Sequence, residues 1–180
     1  LPMWMVFNGT SDSSAPMLRT GISSVTMMNG QLAIGHDGDS NNNRLSRINF
    51  ITEDATVYYA TGTPQAWLYD IAARNRSSSN NGYKGFTGSD IVNRFVNDVA
   101  MTVLPNAPID AATGLPVPTV AIATNGGVSV IKDDGTVVSG HTGVAVEHIM
   151  LHESGALVYG ITGAGNDNFS LHLDSGNTTR

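Results

Sequence analysis

The stretch "PTVAIATNGGVSVIKDDGTVVS", Pro118–Ser139, decides the fold class. Its apolar residues come in short blocks rather than at helical spacing, which is the signature of strands. Two turn pairs, Asn125-Gly126 and Asp134-Gly135, interrupt them. Such pairs accept the positive φ angles of tight hairpin turns at little steric cost. The stretch therefore reads as strands over Pro118–Thr124, Gly127–Ile131 and Thr136–Ser139. "DVAMTVL", Asp98–Leu104, is a candidate opening strand. Together they make an antiparallel meander.

The pattern recurs on both sides. Upstream, Ser23–Met28, Asn29-Gly30, Gln31–Gly35, Arg44–Ile51 and Ala55–Tyr59 read as another meander. Downstream, Val146–His152, Ser154-Gly155, Ala156–Ile161 and Phe169–Asp174 read as a third. "VTMMNGQLAIG" from Val25 matches "IMLHESGALVYG" from Ile149 in pattern, with one residue inserted before the turn. Repeated meanders are what β-propeller blades look like; a β-sandwich gives similar strand spacing. The expectation is an all-β fold of antiparallel meanders, propeller blades forming a partial ring, in one β-repeat region spanning 1–180. A closed propeller needs about four blades or more. The runs "MWMVF" near Met3–Phe7 and Phe169–Leu173 are expected to have an edge completed from outside this chain.

An insertion at about 60–97 breaks the pattern. "PQAWLYDIAA" suits one or two helical turns, and "RNRSSSNNGYKG" reads as a polar surface loop. Ser89 is placed to cap a short helix from Asp90 to about Asn97, with Ile91, Phe95 and Val99 on one face. "PNAPIDAATGLPVP" is too rich in proline for helix or central strand and reads as an ordered arm.

Composition narrows the function. The chain has 180 residues with 9 basic and 15 acidic side chains, a net charge of −6 and only 13% charged residues. A nucleic-acid binder needs clustered Lys and Arg, which this balance opposes. No apolar run reaches the roughly 18 residues of a membrane-spanning helix. There is no cysteine, hence no disulfide and no thiol chemistry.

The chemical motifs are weak. His148 and His152 have a spacing that suits zinc on a helix, but on a strand they stand about 13 Å apart. Asp37, Asp39, Asn41 and Asn43 resemble the start of a calcium loop, yet position six is Asn42 and position twelve Ile48. Ser154 has His152 and Glu153 beside it, but adjacent strand residues face opposite ways. "GITGAG", Gly160–Gly165, lacks the spacing of a dinucleotide loop. "KDDGTVV", Lys132–Val138, lacks the Ser or Thr and the closing aromatic of an Asp-box turn. Glycosylation triplets at Asn8, Asn75, Asn168 and Asn177 are no more than composition predicts. Asp70, Asp98, Glu147 and Glu153 are available acids, and no pair is singled out by spacing. No catalytic, cofactor-binding or metal-binding residue is assigned, and no cofactor is expected.

The stretch from Val96 to Val138, above all "AIATNGGVSVIKDDGT", resembles segments of large structural proteins of marine and other environmental tailed phages. The resemblance implies a propeller-like protein of a tail or fibre assembly, located in the virion, with structural or receptor-binding work and no chemistry. Its partners would be other virion subunits, other parts of the same chain, or host-surface glycan. Outside a virion, the expected location is secreted or cell-surface. The competing expectation is a propeller enzyme that cuts host polysaccharide, or a glycan-binding module.

Overall fold

In a computed structural model, residues 21–37, 44–52, 54–61, 65–67, 83–85, 90–163 and 166–174 are described. They form thirteen strands, and no helix occurs among them. The first sheet is a meander of β1 (Ile22–Met28), β2 (Gln31–His36), β3 (Leu45–Asn49), β4 (Asp54–Tyr58), β5 (Gln65–Trp67) and β6 (Tyr83–Gly85). The second contains β7 (Val96–Thr102), β8 (Thr119–Thr124), β9 (Gly127–Ile131) and β10 (Val137–Gly140). The third contains β11 (Ala145–Leu151), β12 (Leu157–Gly163) and β13 (Asn166–Asp174). Every pairing is antiparallel and joins strands consecutive in sequence.

All four expected turn pairs join paired strands. At Asn29-Gly30 both residues have positive φ, 49° and 75°, as a type I′ turn requires. The β9–β10 and β11–β12 turns share a different geometry. Lys132 N donates to Thr136 O and Gly135 N to Lys132 O, while His152 N donates to Ala156 O and Gly155 N to His152 O. Gly135 and Gly155 supply nearly the same φ, 83° and 84°. The β8–β9 turn differs from expectation in detail, because positive φ falls on Gly127 (130°), one residue late. A Cβ there would meet the His141 carbonyl at 2.5 Å, so only glycine fits.

The expected helix from Asp90 to Asn97 is absent. Its backbone donors are taken elsewhere: Ile91 N bonds Tyr59 O, Val92 N bonds Ser129 Oγ, and Phe95 N bonds Asn93 Oδ1. Ile91 is thereby held in the core between the first two sheets, and Val96 already begins β7. Two more readings of the insertion change. Gln65–Trp67, expected within helical turns, pairs with Tyr83–Gly85, expected within a loop. The rest of 68–82 and the run at Met3–Phe7 lie outside the described residues. The proline-rich arm is ordered as expected, closed by Asp110 N to Leu115 O and Val117 N to Pro108 O. Asn29 Nδ2 ties it to the first sheet through Pro116 O at 2.8 Å.

The sheets stack in chain order, and the described strands do not close a ring. One apolar layer joins Ala33, Leu45 and Tyr58 of the first sheet to Val99, Met101, Val120 and Ile122 of the second. Another joins Ala121, Ala123 and Val128 of the second sheet to Val146, Ile149, Leu157 and Tyr159 of the third. Strand β8 is thus buried on both faces, which explains its unbroken "TVAIAT". Gly35 lets β2 approach β7, because a Cβ there would lie 2.6 Å from Val96 Cγ1.

Ile122→Ala should cost about 2–5 kcal/mol in urea unfolding, whereas Val138→Ala on half-open β10 should stay within about 0.5 kcal/mol. Burial raises the Tyr58 hydroxyl above its usual 10.0, partly offset by Arg47. Its contribution to stability is present below 10.0 and declines as the pH climbs from there towards the raised folded value. Tyr58→Phe should flatten that alkaline decline.

Candidate functional site

Each sheet begins with an edge strand, β1, β7 or β11, and each of these strands carries a register shift near its start. The shifts lie between Ile22 and Ser24, Val96 and Asp98, and Val146 and His148. The sequences are "ISSV", "VNDV" and "VEHI", two polar residues between two apolar ones. A pair of polar residues breaks the period-2 alternation, and a bulge restores the apolar residues to one face. An edge strand also exposes unpaired backbone groups, and here the bulge side chains of one sheet satisfy those of the next.

The contacts repeat. Ser23 Oγ donates to Val96 O at 2.6 Å, and Asn97 Nδ2 donates to Val146 O at 2.8 Å. One position on, Val99 N donates to Ser24 Oγ at 3.3 Å, and Ile149 N donates to Asp98 Oδ2 at 3.0 Å. In the first two polar pairs the first residue thus donates to a carbonyl, and the second accepts from an amide three residues further along. Asp98 links the two junctions, because its Oδ1 also accepts from Ser24 Oγ at 2.7 Å and from Val99 N at 2.9 Å. His148 Nδ1 lies 3.9 Å from Asp98 Oδ2, with its side chain open to solvent. Asp98, available as a catalytic acid on sequence grounds, is thus occupied with holding three sheets together. Sequence reading missed this use, although the polar doublets were its visible signal.

A second feature is an open cleft of about 650 Å³. Its walls are the arm after β7, with Pro105 and Asn106, and the turns carrying Lys132, Asp134 and Ser154. Thr119 lines it while only 2% exposed, and its Oγ1 finds no hydrogen-bond partner among the described residues. On the rim, Asp134 Oδ1 accepts from the Thr136 hydroxyl at 2.6 Å and the Thr136 amide at 2.8 Å. These bonds, the hydroxyl foremost, hold its carboxyl below the ordinary carboxylate value.

The other sequence candidates are scattered. His152 Nδ1 accepts from the Ser154 amide at 3.1 Å and lies 2.9 Å from Ser154 Oγ, so this pair caps a turn. Glu153 is exposed on the same turn, and Glu147 is half-buried on β11. His148 faces Asp98 instead of His152, and no group of three metal-ligating side chains exists among the described residues. Asp37 is exposed; Asp39, Asn41, Asn43 and Asp70 lie outside the described residues. Gly160–Gly163 is strand, and Asp134-Gly135 is an ordinary hairpin. No helix among the described residues is long and apolar enough to cross a membrane.

No family model and no curated protein matches the chain.

Asp98→Ala should destabilise by about 1–3 kcal/mol, because it strands the Ile149 amide, while Asp98→Asn should cost less. Hydrogen exchange at Ile149 should accelerate in the alanine variant. Asp134 contributes stability above the ordinary carboxylate range, and this is lost as pH falls through its lowered value. Asp134→Ala should weaken the acid dependence of hairpin protection at Thr136.

Proposed function

We propose that this chain is a non-catalytic structural or receptor-binding component of a tailed-phage particle, built from β-propeller blades. The observation that carries the reading is the clasp repeated at both sheet junctions. It spends the polar side chains nearest the junctions on rigid assembly. The blade reading rests on the way each meander starts beside the previous one, β7 packing against β1 and β11 against β7. The phage reading rests on the resemblance of Val96–Val138, a stretch that contains the central clasp residues Asn97 and Asp98. Low charge, Gly/Asn-rich loops and the all-β repeat suit a rigid assembly protein.

A second reading, a glycan-binding module, is favoured by the cleft. Hydroxyl, amide and charged groups converge there from Asn106, Thr119, Lys132 and Ser154, and a polyhydroxylated ligand offers matching donors and acceptors. Against the polysaccharide-cutting alternative, Asp98 is held by three hydrogen bonds within its clasp.

Antibodies raised against the purified chain should label tails in particles enriched from the source sample. Signal confined to the soluble cellular fraction would refute the particle reading. On a glycan array, Asn106→Ala with Lys132→Ala should abolish any binding made in the cleft, and a reducing-end assay on the bound glycan should show no cleavage.

A further inference from the structure

The clasp gives each sheet a receiving side and a giving side, and the described sheets leave one of each at the ends of the stack. Register fixes the equivalence: Val25 pairs with Ile34 as Val99 pairs with Ile122 and Ile149 with Tyr159. The receiving positions are therefore Ile22, Val25 and Met27 in the first sheet and Val96, Val99 and Met101 in the second. In the third sheet they begin Val146 and Ile149.

Burial at these positions follows the stacking. Val96, Val99 and Met101 are 0%, 5% and 8% exposed beneath the first sheet, and Val146 and Ile149 are 0% and 4% exposed beneath the second. The same positions in β1 stand open, Ile22 at 53% and both Val25 and Met27 at 59%. Further along that face, Ile34, Ile48 and Ala55 are already buried in a cluster of their own, so the open strip is β1 itself. At the other end, the giving residues of β11 are Glu147 and His148. Beyond them Met150, in the register of Ala100, is 69% exposed, whereas Ala100 packs into the second apolar layer.

We propose that a second copy of this chain completes the stack, the β11 face of one copy seating on the β1 strip of the other. The inference rests on the blade reading above. Each end of the described stack presents the half of the junction that the other lacks: exposed Met150 beside a giving doublet, and an exposed apolar triplet beside a receiving edge. A ring nitrogen of His148, on a side chain open to solvent, takes the place of Ser24 and Asp98 as acceptor for the partner's Val25 amide. The Glu147 carboxylate, standing where Ser23 and Asn97 donate, makes the second point weaker than in the internal junctions. Each junction runs head to tail, and a two-fold axis relating the copies lets the same junction form twice and close the ring. Two copies bring six of the described sheets, inside the usual range of about four to eight blades.

The test is the mass of the full chain in solution, by sedimentation at high micromolar concentration, with Val25→Glu and Met150→Glu. The expected result is a dimer that each substitution alone turns into a monomer. An equimolar mixture of the two variants should regain dimer, because one of its two junctions is then unaltered on both sides. A monomeric parent chain would overturn the proposal. So would a dimer broken by Val25→Glu but not by Met150→Glu, or an open series of larger species. Hydrogen exchange separates this failure from that of the blade reading. Protected Val99 and Ile149 amides in a monomeric chain would leave the stacked sheets standing and remove only the second copy. Unprotected amides at both would remove the stacking itself.

Discussion

The structure depends on one constraint: an edge strand's backbone groups must be satisfied before an apolar layer can close over them. Three meanders each present such an edge, and the chain answers with a polar doublet at the start of each edge strand. The bulge turns both side chains of the doublet towards the neighbouring sheet. There, Ser23 and Asn97 serve carbonyls, and Ser24 and Asp98 serve amides. Asp98 does most, because one carboxylate accepts from β1, β7 and β11 together. A carboxylate can accept several bonds at once, which no serine or asparagine oxygen does as well.

Once the edges are clasped, the spacing between sheets is fixed and the side chains behind them follow. The first junction is filled with large residues such as Leu45, Met101 and Ile122, and Gly35 provides room beside Val96. The second uses alanine at 100, 121 and 123 against Ile149 and Tyr159. Two of the acids have local structural work. Asp98 is committed to the clasp and Asp134 to its own turn. The cleft at the turn end is separate from the clasp, and none of the clasp residues lines it.

The hairpins were legible because their determinants are local. Gly30, Gly135 and Gly155 sit where positive φ is needed, and the strands they join begin and end within a few residues of expectation. The segment from Asp90 was misread because Ile91, Phe95 and Val99 have helical spacing, while the decisive bonds, Ile91 to Tyr59 and Val92 to Ser129, are remote in sequence. The β5–β6 pair escaped notice for a related reason. Three-residue strands show too little alternation to stand out from a polar background. The doublets were visible as breaks in alternation, but which sheet they serve depends on stacking, which composition and period do not encode.

The central claim is that the doublets couple the sheets energetically, beyond lying close to one another. A double-mutant cycle on Ser24→Ala and Asp98→Ala, measured by urea unfolding, tests it most directly. The account predicts that the two losses fail to add by roughly 0.5–3 kcal/mol, since each substitution removes the same inter-sheet bond. Losses that add to within about 0.3 kcal/mol would contradict it, and would leave the apolar layers as the only link between the sheets.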